Sequence, residues 1–224
     1  LLFALLNFWG ARSFVKANNI FAIVKVIVPI VVGFAILFVS FHPCNFTLYK
    51  GAFAPYGWKS VFSVILSSGI IIAFNGFQTV ISFASEIKKP QRTIPYALMI
   101  SIVFCLLIYL LLQFALIAGM PTDLVRGGWH NLAMYAPLLQ LTSLIGLGML
   151  NTVIYFGATV SPSGSAVAFL GTSTRMFTAM SRNGQVPIFF DKVDASIGLS
   201  RRSLIFNTLL SVSFLLVFKS WGSL

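Results

Sequence analysis

The apolar runs of this chain are too long for any soluble core. Ile20 to Phe41 holds a single charge, Lys25, and Ser60 to Ile87, Pro95 to Ala118, Leu150 to Met180 and Leu204 to Phe218 are similarly apolar. About twenty such residues span the roughly 30 Å hydrocarbon core of a bilayer, where every backbone N–H and C=O must find its partner within the protein. With 58% of its 224 residues hydrophobic, 8% charged and a mean hydropathy of +0.95, the sequence reads as an all-α, multi-pass integral membrane protein. It begins at Leu1 inside one apolar run and stops at Leu224 just after another, so a piece of a longer protein is expected.

A net charge of +11 would suit nucleic acid, but the basic residues sit in short loops between the apolar runs, where they orient a protein in lipid. The expected macromolecular surroundings are therefore a bilayer and no nucleic acid. Cys44 in a loop and Cys105 in a span share no environment for a bridge, and His42 and His130 stand alone, so neither a metal site nor a cofactor is expected.

Residues 1–9 read as the tail of a helix closed by Gly10, Arg12 and Lys16, after which Asn18 and Asn19 offer an N-cap. The span that follows, at about 20–41, contains Pro29, which lacks an N–H and leaves the carbonyl of Lys25 without its helical donor. Residues 42–59 mix Pro, Gly, Tyr and Trp as an interfacial loop does, and their Asn45-Phe46-Thr47 sequon is of a kind that arises by chance. The next span, about 61–87, would extend about 40 Å as one helix, so it must tilt or break. Thr93 and Pro95 open a span of about 95–118, ended by Gly119 and Pro121.

From Pro137 to Met180 run 44 residues with no charge before Arg175, too many for one crossing and barely enough for two, with Ser161 to Ser165 offering a turn. Short cytoplasmic loops collect Lys and Arg, and that rule decides. One crossing places ten basic residues on one face (Arg12, Lys16, Lys88, Lys89, Arg92, Arg175, Arg182, Lys192, Arg201 and Arg202) and four on the other (Lys50, Lys59, Arg126 and Lys219). Two crossings give six against eight, which orients nothing. Leu138 to Gly148 is therefore read as a surface or re-entrant helix, and about 150–180 as one long span with Pro162 and Gly164 inside it. Asn183-Gly184 caps that span, and a last one at about 204–218, ending near Trp221, makes five crossings and a helix tail.

Asn75, Gly76 and Gln78 lie where lipid should be. A helix-weakening Asn-Gly pair at membrane depth is tolerated where protein or a solvated cavity surrounds it, which points to a broken helix of a carrier. The competing reading is close packing of small and polar residues against a neighbouring helix.

Two stretches carry a resemblance. GFQTVISFASEIKKPQRTIP (residues 76–95) and STRMFTAMSRNGQVP (residues 173–187) resemble the two cytoplasmic signatures of amino acid permeases of the amino acid-polyamine-organocation group. Within that group, SPSGSAVAFLGTSTRMFTAMSRNG (residues 161–184) resembles the bacterial aspartate:proton symporters. The resemblance implies part of a LeuT-like inverted-repeat bundle in a bacterial inner membrane. It also implies secondary transport of an amino acid by alternating access, with the amino acid and protons as partners. Helices one and six of such a carrier are unwound at the midplane. By position, the carbonyls of Ile72, Ala73 and Asn75 would face the substrate ammonium, with Phe74 and Gly76 completing the unwound segment. Gln78 departs from a carboxylate common in relatives, and a neutral amide takes up no proton.

That departure moves the coupling question to Lys25, a functional candidate because a charge within a span is costly. In proton-coupled relatives a lysine of helix five takes the place of a sodium ion. Against this, Lys25 stands about two turns from the expected helix start, within reach of the cytoplasmic surface by snorkelling. Glu86 and Arg92, with Lys88 and Lys89, are candidates for a cytoplasmic gate closing on Asp191 or Asp194, the competing reading being solvated charges that set topology. An intramembrane enzyme is excluded because all four carboxylates and both histidines fall at or beyond helix ends. A channel fits less well, for want of a filter-like repeat or ring of charge. An exchanger or facilitator without proton coupling remains the alternative, and an acidic substrate rests on the resemblance alone.

Overall fold

The computed structural model describes residues 11–47, 56–67, 70–129, 132, 134–194 and 200–217. The helix tail expected at 1–9, Lys50, His130, Lys219 and Trp221 lie outside those residues, as do the side chains of Arg12, Lys16, Gln78 and Glu86. The regular elements described are all helical: α1 (Ala11–Val39), α2 (Trp58–Ser67), α3 (Pro90–Gly119), α4 (Thr122–Val125), α5 (Pro137–Leu144), α6 (Met149–Arg182) and α7 (Arg201–Val217). Tighter 3₁₀ turns occupy Pro43–Phe46, Ile70–Phe74, Phe77–Glu86 and Ile188–Phe190. Three stretches are long and apolar enough to cross a membrane, Asn18–Val39, Pro90–Gly119 and Met149–Arg182. Only 6% of the apolar window of α3 is buried, so lipid or further helices must cover most of its surface.

Helix boundaries depart from the sequence reading for local reasons. α1 is already helical at Ala11 and runs through Asn18 and Asn19, because residues 11–17 contain no Gly or Pro and Asn caps a helix only where the chain leaves it. α3 starts at Pro90, whose missing N–H is harmless in a first turn, and Lys89 before it takes a left-handed φ of 53°. Ser161 to Ser165 lies inside α6, a 34-residue helix about 51 Å long at 1.5 Å per residue. Its apolar stretch is less hydrophobic than those of Asn18–Val39 and α3, which marks it as the most polar of the three. Its hydroxyls turn back on their own helix, as when Thr159 Oγ1 donates to the Tyr155 carbonyl at 2.9 Å.

The chain divides into two compact units. The first, Val24–Phe77 with Gln91–Thr159, has a core of Val32, Ile36, Ala115, Met120, Val125 and Leu141, drawn from α1, α3, α4, α5 and the residue after α3. Glycines permit its close approaches: a Cβ on Gly33 would stand 2.9 Å from Leu111 Cγ, and one on Gly157 2.8 Å from Val28 Cγ1. The residues after α1 cap the end of α3. Ser40 Oγ donates to the Gly119 carbonyl at 2.9 Å, the His42 N–H to that of Ala118 at 2.7 Å, and Asn45 Nδ2 to those of Ile117 and Met120 at 2.9 and 2.8 Å. Carbonyls that a helix end leaves without donors are thereby satisfied. Both amide hydrogens of Asn45 are used, and the residue is 2% exposed, so its sequon is closed to a glycan in the folded chain.

The second unit gathers the described parts of Leu1–Ile23, Gln78–Pro90 and Val160–Leu224. Phe177, Phe190 and Phe206 stack with centroids 5.0 to 5.4 Å apart. Small hydroxyls fill the closest approach between α6 and α7, where Thr178 Oγ1 lies 3.3 Å from Ser203 Oγ. The connection between these helices is folded back on them, with Ser181 Oγ donating to the Pro187 carbonyl at 2.8 Å and Ser203 Oγ to that of Phe190 at 3.2 Å.

Candidate functional site

The weak point read at Asn75-Gly76 is a turn. α2 ends at Ser67, Ile70–Phe74 is wound as 3₁₀, and the chain reverses its backbone sign at Gly76, where φ is 108°. A residue with a Cβ adopts that conformation only under strain, which explains the glycine. The Asn75 side chain fixes the turn from within, its Oδ1 accepting the Gly76 N–H at 2.8 Å, while the Asn75 N–H reaches the Ile72 carbonyl at 2.9 Å. Ile72, Ala73, Phe74, Asn75 and Gly76 therefore share one short bend in the first unit, and Gln78 follows in Phe77–Glu86. Ile72 is 71% exposed, so the bend is open to whatever lies beside it.

Tyr109 of α3 closes on this bend. Its hydroxyl donates to the Ala73 carbonyl at 2.9 Å, and its ring meets Phe74 edge to face, centroids 5.2 Å apart at 74°. Of the three carbonyls assigned to a substrate ammonium, that of Ile72 thus has one backbone donor and that of Ala73 one phenolic donor. A carbonyl oxygen has two lone pairs, so one such bond does not exhaust it. Tyr109 also lines a cavity of about 540 Å³ with Gln113, Leu116, Leu138, Ile154 and Tyr155. Sequence reasoning missed this tyrosine, whose one signal was a hydroxyl within an apolar helix, where a partner is needed.

Lys25 is half-buried on α1, about four turns beyond Ala11 rather than two turns from a helix start, because α1 is helical two turns earlier than expected. It stands about 10 Å along the axis from Asn18, where the apolar stretch begins. The charges proposed as a gate are held locally. Asp191 Oδ1 accepts from Arg182 Nε at 2.6 Å, and Asp194 Oδ2 pairs with Arg201 Nε at 2.8 Å. Arg92 is exposed on the first turn of α3. Two further arginines pack on rings: Arg175 lies 4.2 Å from the Phe83 centroid, and Arg202 lies 4.1 Å from that of Phe189 while donating to its carbonyl at 3.0 Å.

The sequence matches the family of amino acid permeases over residues 1–222. It is 38% identical over 224 residues to the glutamate/serine transporter AimA of Bacillus subtilis, a match covering 100% of this chain and 41% of that protein. It is 36% identical over 225 residues to the aspartate-proton symporter of the same organism, covering 100% of this chain and 43% of the relative. The branched-chain amino acid permease BcaP of Bacillus subtilis is 28% identical over 188 residues, 84% of this chain and 38% of its own length. The chain spans about two-fifths of the length of these relatives.

Proposed function

Since this chain belongs to the amino acid permease family, we propose that the protein it forms part of is a secondary active carrier of an acidic amino acid, coupled to protons and working by alternating access in a bacterial inner membrane. Ile72 to Gln78 supplies half of the substrate site, and the five crossings at about 20–41, 61–87, 95–118, 150–180 and 204–218 form its part of the bundle. The observation that carries the reading is the bend at Asn75-Gly76, where α-helical geometry stops and the carbonyls of Ile72 and Ala73 lie on a turn, each able to accept more than the one bond named above. An ammonium group brings three donors to such a site, and carbonyl acceptors at membrane depth need donors. An acidic substrate is favoured because, of two relatives of similar identity, one is named for glutamate and serine and the other for aspartate, so an acidic amino acid is common to both names.

Proton coupling is assigned to Lys25. Its position well inside α1 supports the assignment, since its backbone lies about 10 Å along the axis from the level of Asn18. The gate assigned to Glu86 and Arg92 works against the Arg182–Asp191 and Arg201–Asp194 pairs, which open or re-pair as the cytoplasmic side changes state. The test is uptake of labelled aspartate and glutamate by the full-length protein in proteoliposomes, with and without a proton ionophore. Uptake that saturates, is competed by either acid and collapses with the ionophore is expected. Uptake indifferent to the ionophore and to external pH contradicts proton symport and leaves an exchanger or facilitator.

A further inference from the structure

We propose that Tyr109 is a positioning residue for the substrate ammonium, acting through the Ala73 carbonyl. The inference rests on the reading of Ile72 to Gln78 as a half-site. In that reading the bend must present carbonyl oxygens in fixed directions, yet the 3₁₀ geometry and the glycine at φ 108° take it out of regular α-helix. Bonds within the bend fix its turn, and contacts from outside set how it sits against its neighbours. Tyr109 makes two such contacts from α3, the hydroxyl bond of 2.9 Å to Ala73 and the edge-to-face contact with Phe74, the next residue along.

The two contacts have different work. The ring contact holds the segment against α3 and needs no hydroxyl. The hydroxyl occupies one lone pair of the Ala73 oxygen and leaves the other in a defined direction, so the carbonyl meets an incoming ammonium already oriented. α3 is a dependable support, because its end is pinned by Ser40, His42 and Asn45. The hydroxyl also satisfies the Ala73 oxygen when no substrate is bound, which a carbonyl outside α-helical geometry at membrane depth requires.

Tyr109→Phe separates the two contacts, keeping the ring and removing the hydroxyl. Measured as aspartate or glutamate uptake by the full-length protein in proteoliposomes, normalised to inserted protein, KM should rise about 2- to 12-fold, the equivalent of one net hydrogen bond. Maximal velocity should stay within about two-fold, since orientation of the ground-state complex is what is lost. An unchanged KM overturns the proposal, and so does a loss of velocity or insertion alone, which marks a purely structural contact. A lowered KM overturns it as well, because the hydroxyl would then compete with the ammonium rather than orient its acceptor. Gly76→Ala, run beside it, reports on the half-site itself. A raised KM there with none in Tyr109→Phe removes the tyrosine and leaves the half-site standing. KM unchanged in both variants removes the half-site and the tyrosine together.

Discussion

Asn45→Ala should destabilise the protein by about 2–4 kcal/mol, from two lost hydrogen bonds and two carbonyls left buried without a donor. The side chain is 2% exposed and donates at 2.9 and 2.8 Å to Ile117 and Met120, more than seventy residues away in sequence, so no local rearrangement replaces it. Each net bond contributes about 0.5–1.5 kcal/mol, and each orphaned acceptor costs about 1–3 kcal/mol before partial relief by water or relaxation. The sum of those upper values is an overestimate, because the Asn45 Oδ1 has no hydrogen-bond partner among the described residues and its burial is relieved when the side chain goes. Asn45→Asp is the sharper control. It keeps the shape but places a carboxylate against two carbonyl oxygens, and should cost at least as much as alanine. The assay is unfolding of the detergent-solubilised full-length protein in graded denaturant. An alanine variant within about 0.5 kcal/mol of the parent, the range of ordinary surface changes, would refute the reasoning.

The remaining expectations concern packing, charge and coupling. Gly119→Ala should cost about 1–3 kcal/mol in the same unfolding assay, because its Cβ would collide with Ile36 Cγ2 inside the core. Alanine at Gly33 or Gly157 should cost less, since Leu111 Cγ and Val28 Cγ1 would stand farther from the added carbon, at 2.9 and 2.8 Å. Asp191→Asn should change stability by less than about 1 kcal/mol, as suits a pair whose partners are 60% and 37% exposed, and a double-mutant cycle with Arg182→Gln checks the coupling. Lys25→Ala should abolish the dependence of uptake on external pH in proteoliposomes. A retained pH dependence returns Lys25 to the role of a snorkelling lysine.

Membrane class and helical character were legible because each apolar run exceeds what a soluble core needs, and that property belongs to residue types rather than contacts. The bend was legible for the same reason, since Asn-Gly is weak in a helix whatever surrounds it. Tyr109 was not, because nothing about a tyrosine in the apolar run of α3 says which of its neighbours, 36 residues earlier, will accept its proton. The cap on α3 was hidden in the same way by separations of 72 to 79 residues. The start of α1 was misplaced because an asparagine in sequence is equally a cap or an interior residue, and only the path of the chain distinguishes them. Asp191 and Asp194 pair with Arg182 and Arg201, arginines of the two helix ends that their own loop joins, and charge type alone does not name those partners.

The central claim is that the bend at Asn75-Gly76 receives the ammonium of an amino acid. It is tested most directly by thiol protection at Ile72, whose side chain is 71% exposed. With every native cysteine of the full-length protein, Cys44 and Cys105 among them, replaced by serine and Ile72→Cys introduced, alkylation is followed with increasing aspartate or with succinate, which has both carboxylates and no ammonium. Aspartate should slow the reaction at concentrations near its KM, and succinate should need more than about ten-fold higher concentrations, since a bond to a charged donor is worth about 1.5–3 kcal/mol. Equal protection by both acids, or by neither, contradicts the account.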